Sequence, residues 1–205
     1  MAPVRVYYRP KTGRPVRVAW LLEELGETFE SASVTTEEAT EPEHLARHPL
    51  GRVPVLEVDG DVVFESTAIC LHLADQHLDA GLIGPLGSVE RALVYQWALF
   101  AMTEIEPAVI EVVRQSEADP ARAAAGAQRF AAAAAVIERE LDGQEFLVGD
   151  RLTVADIVTG GVLALAARRT SLTSDWPNIT AYVGRLTARP AFQRAATATE
   201  SALAS

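Results

Sequence analysis

One stretch, residues 52–66, limits the possible folds more than any other part of this sequence. Residues 55–58 and 62–64 have the apolar and β-branched side chains of short strands, and Asp59-Gly60 between them is a strong hairpin signal. Pro54 cannot donate a hydrogen bond to a sheet, so we expect it at the first position of its strand. A proline there is also a candidate for a cis peptide bond.

The same stretch has two features suited to holding a short peptide. Ser66 is the expected N-cap of the next helix, and a helix N-terminus presents free backbone N–H groups to an anion. The backbone at Val53 offers an edge for main-chain pairing. Together these features predict a site for a peptide and its carboxylate. A plain hairpin followed by a capped helix explains the same residues without a ligand.

The segment before the hairpin is predicted to form a βαβ unit. Residues 3–8 and 29–34 have the character of strands. Between them, apolar residues at helical spacing mark one face of a helix that begins at Pro15 and ends at Gly26. With the hairpin and a helix over residues 67–77, the order β-α-β-β-β-α is the layout of a thioredoxin-like domain.

The rest of the chain is predicted to be helical, so the fold class is α/β plus all-α. Residues 80–88 are rich in glycine and proline and form the best candidate for a linker. They separate a thioredoxin-like domain at residues 1–79 from an all-helical domain at residues 89–205. In the second domain, Pro107 should kink or break the long first helix. Thr153-Val-Ala-Asp156 is a variant of the helix capping box.

Composition argues against several classes of function. The net charge of −10 leaves no basic patch for nucleic acid, and no apolar run approaches the roughly 20 residues that a membrane span requires. The first eight residues lack the features of a signal peptide. A single cysteine, Cys70, forms no internal disulfide, and a cytoplasmic location fits best. The histidines show no metal-ligand spacing, so no metal site is expected.

Four segments, in this order along the chain, resemble the cytosolic, bacterial-type members of the glutathione transferase superfamily. The segments are Trp20-Leu-Leu-Glu-Glu-Leu-Gly26, His48-Pro-Leu-Gly-Arg-Val-Pro-Val-Leu56, Phe64-Glu-Ser66 and Leu152-Thr-Val-Ala-Asp156. They extend through both predicted domains, so the resemblance covers essentially the whole chain. It implies a homodimer and a peptide ligand that is glutathione, used as a co-substrate.

The resemblance also assigns roles to the residues of the hairpin stretch. Val53, next to a cis Pro54, would bind the cysteinyl backbone of glutathione. Glu65 and Ser66 would take the γ-glutamyl end, and Arg52 would lie near the glycyl carboxylate. We interpret the nearby histidine at position 48, where the family has asparagine, as structural.

The group that activates the thiol is left open between two hydroxyls. The thiolate is the nucleophile, whereas a free thiol with a pKa of about 8.5 is mostly protonated at neutral pH. By resemblance, Tyr8 falls at the position of the catalytic tyrosine of some members and Thr12 at that of the catalytic serine of others. We favour Thr12, which lies close to the N-terminus of the helix that starts at Pro15. A core aromatic at Tyr8 and a loop hydroxyl at Thr12 are the alternative interpretations.

The resemblance implies that a second substrate binds between the domains. Met102 and Thr103 on the long helix are candidate lining residues, although Met102 also suits the helix core. The implied function is detoxification, in which the glutathione thiolate is joined to a small apolar electrophile. A glutathione-dependent isomerase or lyase, and a non-catalytic binding or scaffold protein with this fold, are the alternatives. The sequence does not identify the electrophile.

Overall fold

The computed structural model describes residues 4–9 and 13–201, with side chains described up to residue 198. The chain divides into two compact units: residues up to Ala80 together with those from Arg189 onward, and Gly81–Ala188. The sequence predicts a second domain that extends to residue 205. The structure instead groups the segment after Arg189 with the first unit, because its helix packs on the first helix of the chain.

The sheet of the first unit has the predicted thioredoxin-like arrangement. Its four strands are β1 (Val4–Tyr8), β2 (Phe29–Ser33), β3 (Val55–Val58) and β4 (Asp61–Phe64). They lie in the order β2-β1-β3-β4, with β1 and β2 parallel and the other neighbouring pairs antiparallel. Asp59 and Gly60 have φ angles of 49° and 89°, which a tight hairpin of this kind requires. The predicted hairpin is therefore confirmed.

The helices of the first unit are α1 (Gly13–Leu25), α2 (Pro42–Arg47), α3 (Ser66–Gln76) and, far along the chain, α9 (Pro190–Ser201). α1 begins two residues before Pro15, because a proline is tolerated throughout a first turn whose N–H groups have no helical partner. Gly26 ends α1 with a φ angle of 70°, as predicted. Ser66 is the first residue of α3, and Glu65 occupies the N-cap position that was expected for Ser66.

The second unit is helical. Its helices are α4 (Val89–Phe100), α5 (Glu106–Gln115), α6 (Pro120–Glu140), α7 (Val154–Arg169) and α8 (Pro177–Thr187). A π-helical segment, Ala101–Ile105, separates α4 from α5 just before Pro107. A proline ring clashes with the carbonyl four residues earlier, here that of Thr103, and the wider π turn accommodates it. The predicted break at Pro107 is confirmed. No helix in the described part of the chain is both long and apolar enough to span a membrane.

α7 is the buried centre of the second unit, and its first turn is held by one carboxylate. Asp156 Oδ2 accepts hydrogen bonds from Thr153 N at 2.8 Å and Thr153 Oγ1 at 3.0 Å, which completes the predicted capping box. Asp156 Oδ1 accepts from Leu147 N and from the Tyr182 hydroxyl, each at 2.9 Å. These hydrogen bonds tie the preceding loop and α8 to α7, and the carboxylate that accepts them is fully buried.

α9 is fixed to α1 by apolar and ionic contacts. The Phe192 ring meets the Trp20 ring edge-on, with the ring centroids 5.1 Å apart. Arg189 donates to both carboxylate oxygens of Glu24, at 2.6 Å and 2.8 Å. Although partial burial acts in the opposite direction, the hydrogen bonds from Arg189 and Trp20 lower the pKa of Glu24 below its ordinary value. This bidentate pair explains why the segment joins the first unit.

We expect Asp156→Ala to lower the free energy of unfolding by about 3 kcal/mol or more, because it leaves several buried donors without an acceptor. Tyr182→Phe removes only one of those hydrogen bonds and should cost about 1 kcal/mol. Urea denaturation followed by circular dichroism measures both values. Equal losses in the two variants would contradict a network centred on the carboxylate.

Candidate functional site

The first wall of the candidate site is the backbone just before β3. The Val53–Pro54 peptide bond is cis, as predicted, and Pro54 is buried. Val53 precedes the residues of β3 that pair with β1 and β4, so its backbone is not part of the sheet ladder. Its side chain packs against a small core that includes Tyr7 and Val55. This packing holds the Val53 backbone at a fixed position just before β3, outside the ladder, and we call this stretch the Val53 edge.

Two buried histidines shape the loop that leads to this edge. His44 Nε2 lies 3.0 Å from the carbonyl oxygen of Arg52, which only accepts, so Nε2 carries the proton. His48 Nδ1 accepts from Leu50 N at 3.1 Å, and its ring contacts the Phe64 ring at a centroid distance of 4.7 Å. Burial lowers the pKa of His48, which favours the neutral ring that this acceptor role needs. These contacts agree with a structural role for His48.

The second wall is the junction between β4 and α3. Glu65 has a φ angle of 74° and a ψ angle of 110°, a conformation that is strained for a residue with a Cβ atom. It leaves the Glu65 side chain exposed and Ser66 buried at the start of the helix. The first backbone N–H groups of α3 have no partner within the helix, so they are available to an anion.

A small cavity joins the two walls. All five residues predicted to bind glutathione line it, together with two residues that the sequence did not assign to the site: Arg14, His48, Arg52, Val53, Pro54, Glu65 and Ser66. Arg14 lies in the first turn of α1, just before Pro15, where the helix was predicted to begin. An arginine two residues after the candidate Thr12 was the signal that could have identified it.

The charges around this cavity are arranged for a zwitterion with two carboxylates. Arg14, Arg52 and the N-terminus of α3 supply positive charge, and Glu65 supplies the negative charge among the lining residues. The edge at Val53 adds backbone hydrogen-bonding groups between them. A short peptide with acidic ends and one ammonium group matches this arrangement.

Of the two candidate hydroxyls, the structure describes that of Tyr8. Thr12 lies outside the described residues. Tyr8 is 1% exposed, and its hydroxyl is buried with no hydrogen-bond partner among the residues described. Burial raises the pKa of Tyr8, so the phenol stays protonated at neutral pH. A group this deeply buried agrees with the alternative interpretation of Tyr8 as a core aromatic.

Met102 and Thr103 both lie in the π-helical segment of the second unit. Met102 is half-buried, whereas Thr103 is exposed and its hydroxyl donates to the carbonyl oxygen of Leu99 at 3.1 Å. π-Helical turns occur often at functional sites, which is the structural feature that supports these two candidates. Within residues 4–9 and 13–201, no cluster of three or more His, Cys, Asp or Glu side chains could hold a metal ion.

Comparison with known proteins gives consistent matches along the whole chain. Residues 2–75 match the family model "Glutathione S-transferase, N-terminal domain", and residues 100–190 match "Glutathione S-transferase, C-terminal domain". Glutathione S-transferase 3 from Zea mays is 31% identical over 208 residues, which cover 95% of this chain and 93% of that protein.

Solved structures agree with these matches. A glutathione transferase from Methylococcus capsulatus is 30% identical with a TM-score of 0.85, and the match covers 96% of this chain and 98% of that one. A glutathione transferase family member from Pseudomonas fluorescens, solved with two glutathione bound, is 27% identical with a TM-score of 0.84. That match covers 94% of this chain and 92% of the other.

The strain at Glu65 gives a prediction about stability. Glu65→Gly and Glu65→Ala both remove the carboxylate, but only glycine adopts a positive φ angle without a steric cost. We expect Glu65→Gly to be more stable than Glu65→Ala by about 1 kcal/mol, as measured by urea denaturation.

The control for this comparison is Ala68→Gly, at an exposed position inside α3. There glycine should lower stability by about 1 kcal/mol relative to alanine, the opposite sign. If glycine is no better than alanine at position 65, the backbone there is not strained.

Proposed function

This chain belongs to the glutathione S-transferase family, and we propose that it joins the thiolate of glutathione to a small apolar electrophile. One observation carries the proposal: a single cavity collects the Val53–Pro54 edge, Glu65 and Ser66. Glu65 is strained, and its carboxylate faces solvent beside the N-terminus of α3, which can bind an anion. A protein that used this fold only as a scaffold would not need that arrangement. The reaction type is inferred from the relatives. The cavity is the structural feature of this chain that supports the same reaction.

Glutathione has three polar groups that correspond to the groups around the cavity. Its γ-glutamyl carboxylate would accept hydrogen bonds from the N-terminus of α3 and from Ser66. Its ammonium group would pair with Glu65, and its cysteinyl amide would pair with the Val53 backbone, as in strand addition. Arg52 would lie near the glycyl carboxylate. This placement leaves the cysteinyl sulfur over the start of α1.

We assign activation of the thiol to Thr12, with Tyr8 as the less favoured alternative. The thiol loses its proton to solvent, and a hydroxyl donor stabilises the thiolate that remains. The thiolate then attacks the electrophilic carbon, and a carbon–sulfur bond forms as the leaving group, chloride for chlorodinitrobenzene, departs with its bonding electron pair. The buried hydroxyl of Tyr8 supports this order of preference, because Tyr8 is 1% exposed and is not among the residues that line the cavity. The positive charge of Arg14 on the same cavity also favours the anion.

The second substrate, the oligomeric state and the location form the rest of the proposal. Met102 and Thr103 would contact the electrophile, and their π-helical setting and partial exposure support this role. The protein would work in the cytoplasm, where its single cysteine, buried in α3, stays reduced. Glutathione would be the co-substrate.

A homodimer is supported by exposed apolar side chains around the hairpin. Leu50, Val62 and Phe64 are 66%, 42% and 40% exposed. Val62 and Phe64 lie two residues apart on β4 and so project from one face of the sheet, and the His48 ring links Phe64 to the loop that carries Leu50. An apolar patch of this kind marks an interaction surface, and the occupant we propose is a second copy of the chain.

The test of the dimer is a charge placed in this patch. Leu50→Glu puts a carboxylate where the copies would meet, and we expect a monomer in sedimentation velocity experiments. Leu99→Glu changes a leucine of the second unit that is 56% exposed and serves as the matched control, which should remain dimeric. A dimer that survives Leu50→Glu would place the interface elsewhere.

The test of the reaction begins with glutathione binding. Calorimetric titration should show micromolar to millimolar affinity, and Glu65→Ala should abolish it. In conjugation to chlorodinitrobenzene, Thr12→Ala should lower kcat by about 100-fold and move the pH midpoint of the rate up towards about 8.5, the pKa of a free thiol. Tyr8→Phe should change kcat little.

Other outcomes separate the alternatives. A large loss in Tyr8→Phe with an active Thr12→Ala would make Tyr8 the donor. Binding without conjugation would favour the glutathione-dependent isomerase or lyase. No binding at high glutathione would overturn the proposal in favour of a scaffold or of another thiol.

A further inference from the structure

A second cavity, of about 330 Å³, lies within the first unit, between α2 and the strands β1 and β2. Its lining combines buried side chains, among them Tyr7, Val34 and His44, with charged side chains at the surface. Among the residues that the structure describes, none lines both this cavity and the one proposed for glutathione. The proposed function therefore leaves the second cavity without a role.

One buried polar atom of this lining has no hydrogen-bond partner. His44 is 2% exposed, and its Nε2 donates to the carbonyl oxygen of Arg52 at 3.0 Å. The other ring nitrogen, Nδ1, is buried and has no partner among the residues described. A second proton on Nδ1 would bury a charged donor with nothing to accept from it, so Nδ1 is the unprotonated acceptor of a neutral ring. An unpaired buried acceptor destabilises a fold and needs an explanation.

The geometry of the imidazole ring turns Nδ1 towards the second cavity. The two nitrogens of the ring are separated by one carbon and point in different directions. Nε2 points at Arg52, which lines the glutathione cavity and not this one. The Nδ1 edge of His44 is then the edge that faces the second cavity. An acceptor there requires a ligand that brings a hydrogen-bond donor, which a carboxylate or phosphate anion does not.

The arginines of this cavity are held by glutamates or by the Tyr7 ring. Arg5 pairs with Glu30 at 2.8 Å, and Glu30 is not a lining residue. Arg47 pairs with Glu43 at 2.6 Å, and its guanidinium carbon lies 4.4 Å from the centroid of the Tyr7 ring. That cation–π contact occupies one face of the ring. Both cations are therefore compensated by local contacts.

Two other glutamates leave negative charge at the cavity. Glu38 accepts a hydrogen bond from the backbone N–H of Thr35 at 2.7 Å, a neutral donor that leaves its charge in place. Glu41 is the N-cap residue of α2, but its side chain makes no capping hydrogen bond, and its carboxylate has no ion-pair partner in the described part of the chain. Arg9 donates to the carbonyl oxygens of Val34 and Thr35 and is not among the lining residues.

We propose that this cavity binds a small organic ammonium ion through His44 Nδ1 and the carboxylates of Glu38 and Glu41. One N–H group of the ligand donates to Nδ1, and the two glutamates balance its positive charge. A metal ion does not fit, because the described residues contain no cluster of three or more His, Cys, Asp or Glu side chains that could hold one. The volume of the cavity is in the range of small-molecule sites.

The test uses 1,4-diaminobutane as the probe and the His44 ring as the reporter. Protein labelled with ¹⁵N in its histidine rings is titrated at constant neutral pH and about 0.15 M salt, where distant surface charges are largely screened. Long-range ¹⁵N–¹H spectra separate Nδ1 from Nε2. We expect the Nδ1 resonance of His44 to move upfield as Nδ1 accepts a hydrogen bond, with a Kd of about 1 mM or lower. The Nε2 resonance should stay in place.

Two further probes separate the charge of the ligand from its donor. 1,4-Butanediol has the same chain length and two O–H donors but no charge. Tetramethylammonium has the charge but no N–H group. A charge-assisted hydrogen bond needs both features, so each of these probes should bind at least about tenfold more weakly than the diamine.

Three variants locate the site, and backbone amide shifts follow binding in each. His44→Gln puts an amide N–H close to the position of Nε2, so the bond to Arg52 is kept while the Nδ1 acceptor is lost, and Kd should rise about tenfold. Glu41→Gln should raise Kd about fivefold. Glu37→Gln is the matched control, because it removes the same charge from an exposed neighbour that does not line the cavity. It should leave Kd unchanged.

Several results would overturn the inference. If His44 Nδ1 does not move at ten times the expected Kd, a bound water is the better explanation of the unpaired nitrogen. Equal binding of tetramethylammonium or of butanediol would remove the charge-assisted hydrogen bond. If His44→Gln does not fold, equal effects of Glu41→Gln and Glu37→Gln still contradict the site. No measurement contains glutathione, so the outcome is independent of the proposed function.

Discussion

The candidate site depends on one backbone conformation, that of Glu65. With a φ angle of 74°, this residue turns β4 directly into α3 without an intervening loop. The abrupt turn places Glu65 at the surface and Ser66 inside, against Arg17. A more relaxed connection would need extra residues, which would move the helix end away from the cavity. The strain is therefore local, and it keeps the two walls of the site on one cavity.

Asp156 in the second unit and Arg17 in the first are both buried charged groups, and they make different kinds of contact. Asp156 receives several hydrogen bonds from its own unit, so its capacity as an acceptor is used within the fold. Arg17 donates to a hydroxyl that lines a cavity, so part of its effect extends to whatever binds there. Buried charge alone does not distinguish a stabilising role from a functional one. The distinction is whether the buried charge is hydrogen-bonded only to groups inside the fold or to a group that lines a cavity.

The parts of the structure that local chemistry determines were predictable. Asp59-Gly60, the Thr153–Asp156 box and the break at Pro107 each depend on residues close together in the sequence, and all three are confirmed. The residues that we propose to bind glutathione were predicted by resemblance, and in the structure they line one cavity. Arg14 could not be assigned to this cavity, because its place there depends on the packing of α1 against segments far along the chain. The position of α9 escaped prediction for the same reason, since helical periodicity shows which face is buried but not what covers it.

The return of α9 to α1 has a consequence for the order of events during synthesis. Arg189 and Glu24 pair across 165 residues of sequence, with the whole second unit between them. A ribosome therefore releases the strands of the first unit long before it makes the helix that covers the Trp20 side of α1. Until then, that apolar face of α1 lacks its native cover, and the helical unit is free to fold first. The thioredoxin-like unit begins first in the sequence and is completed last in time.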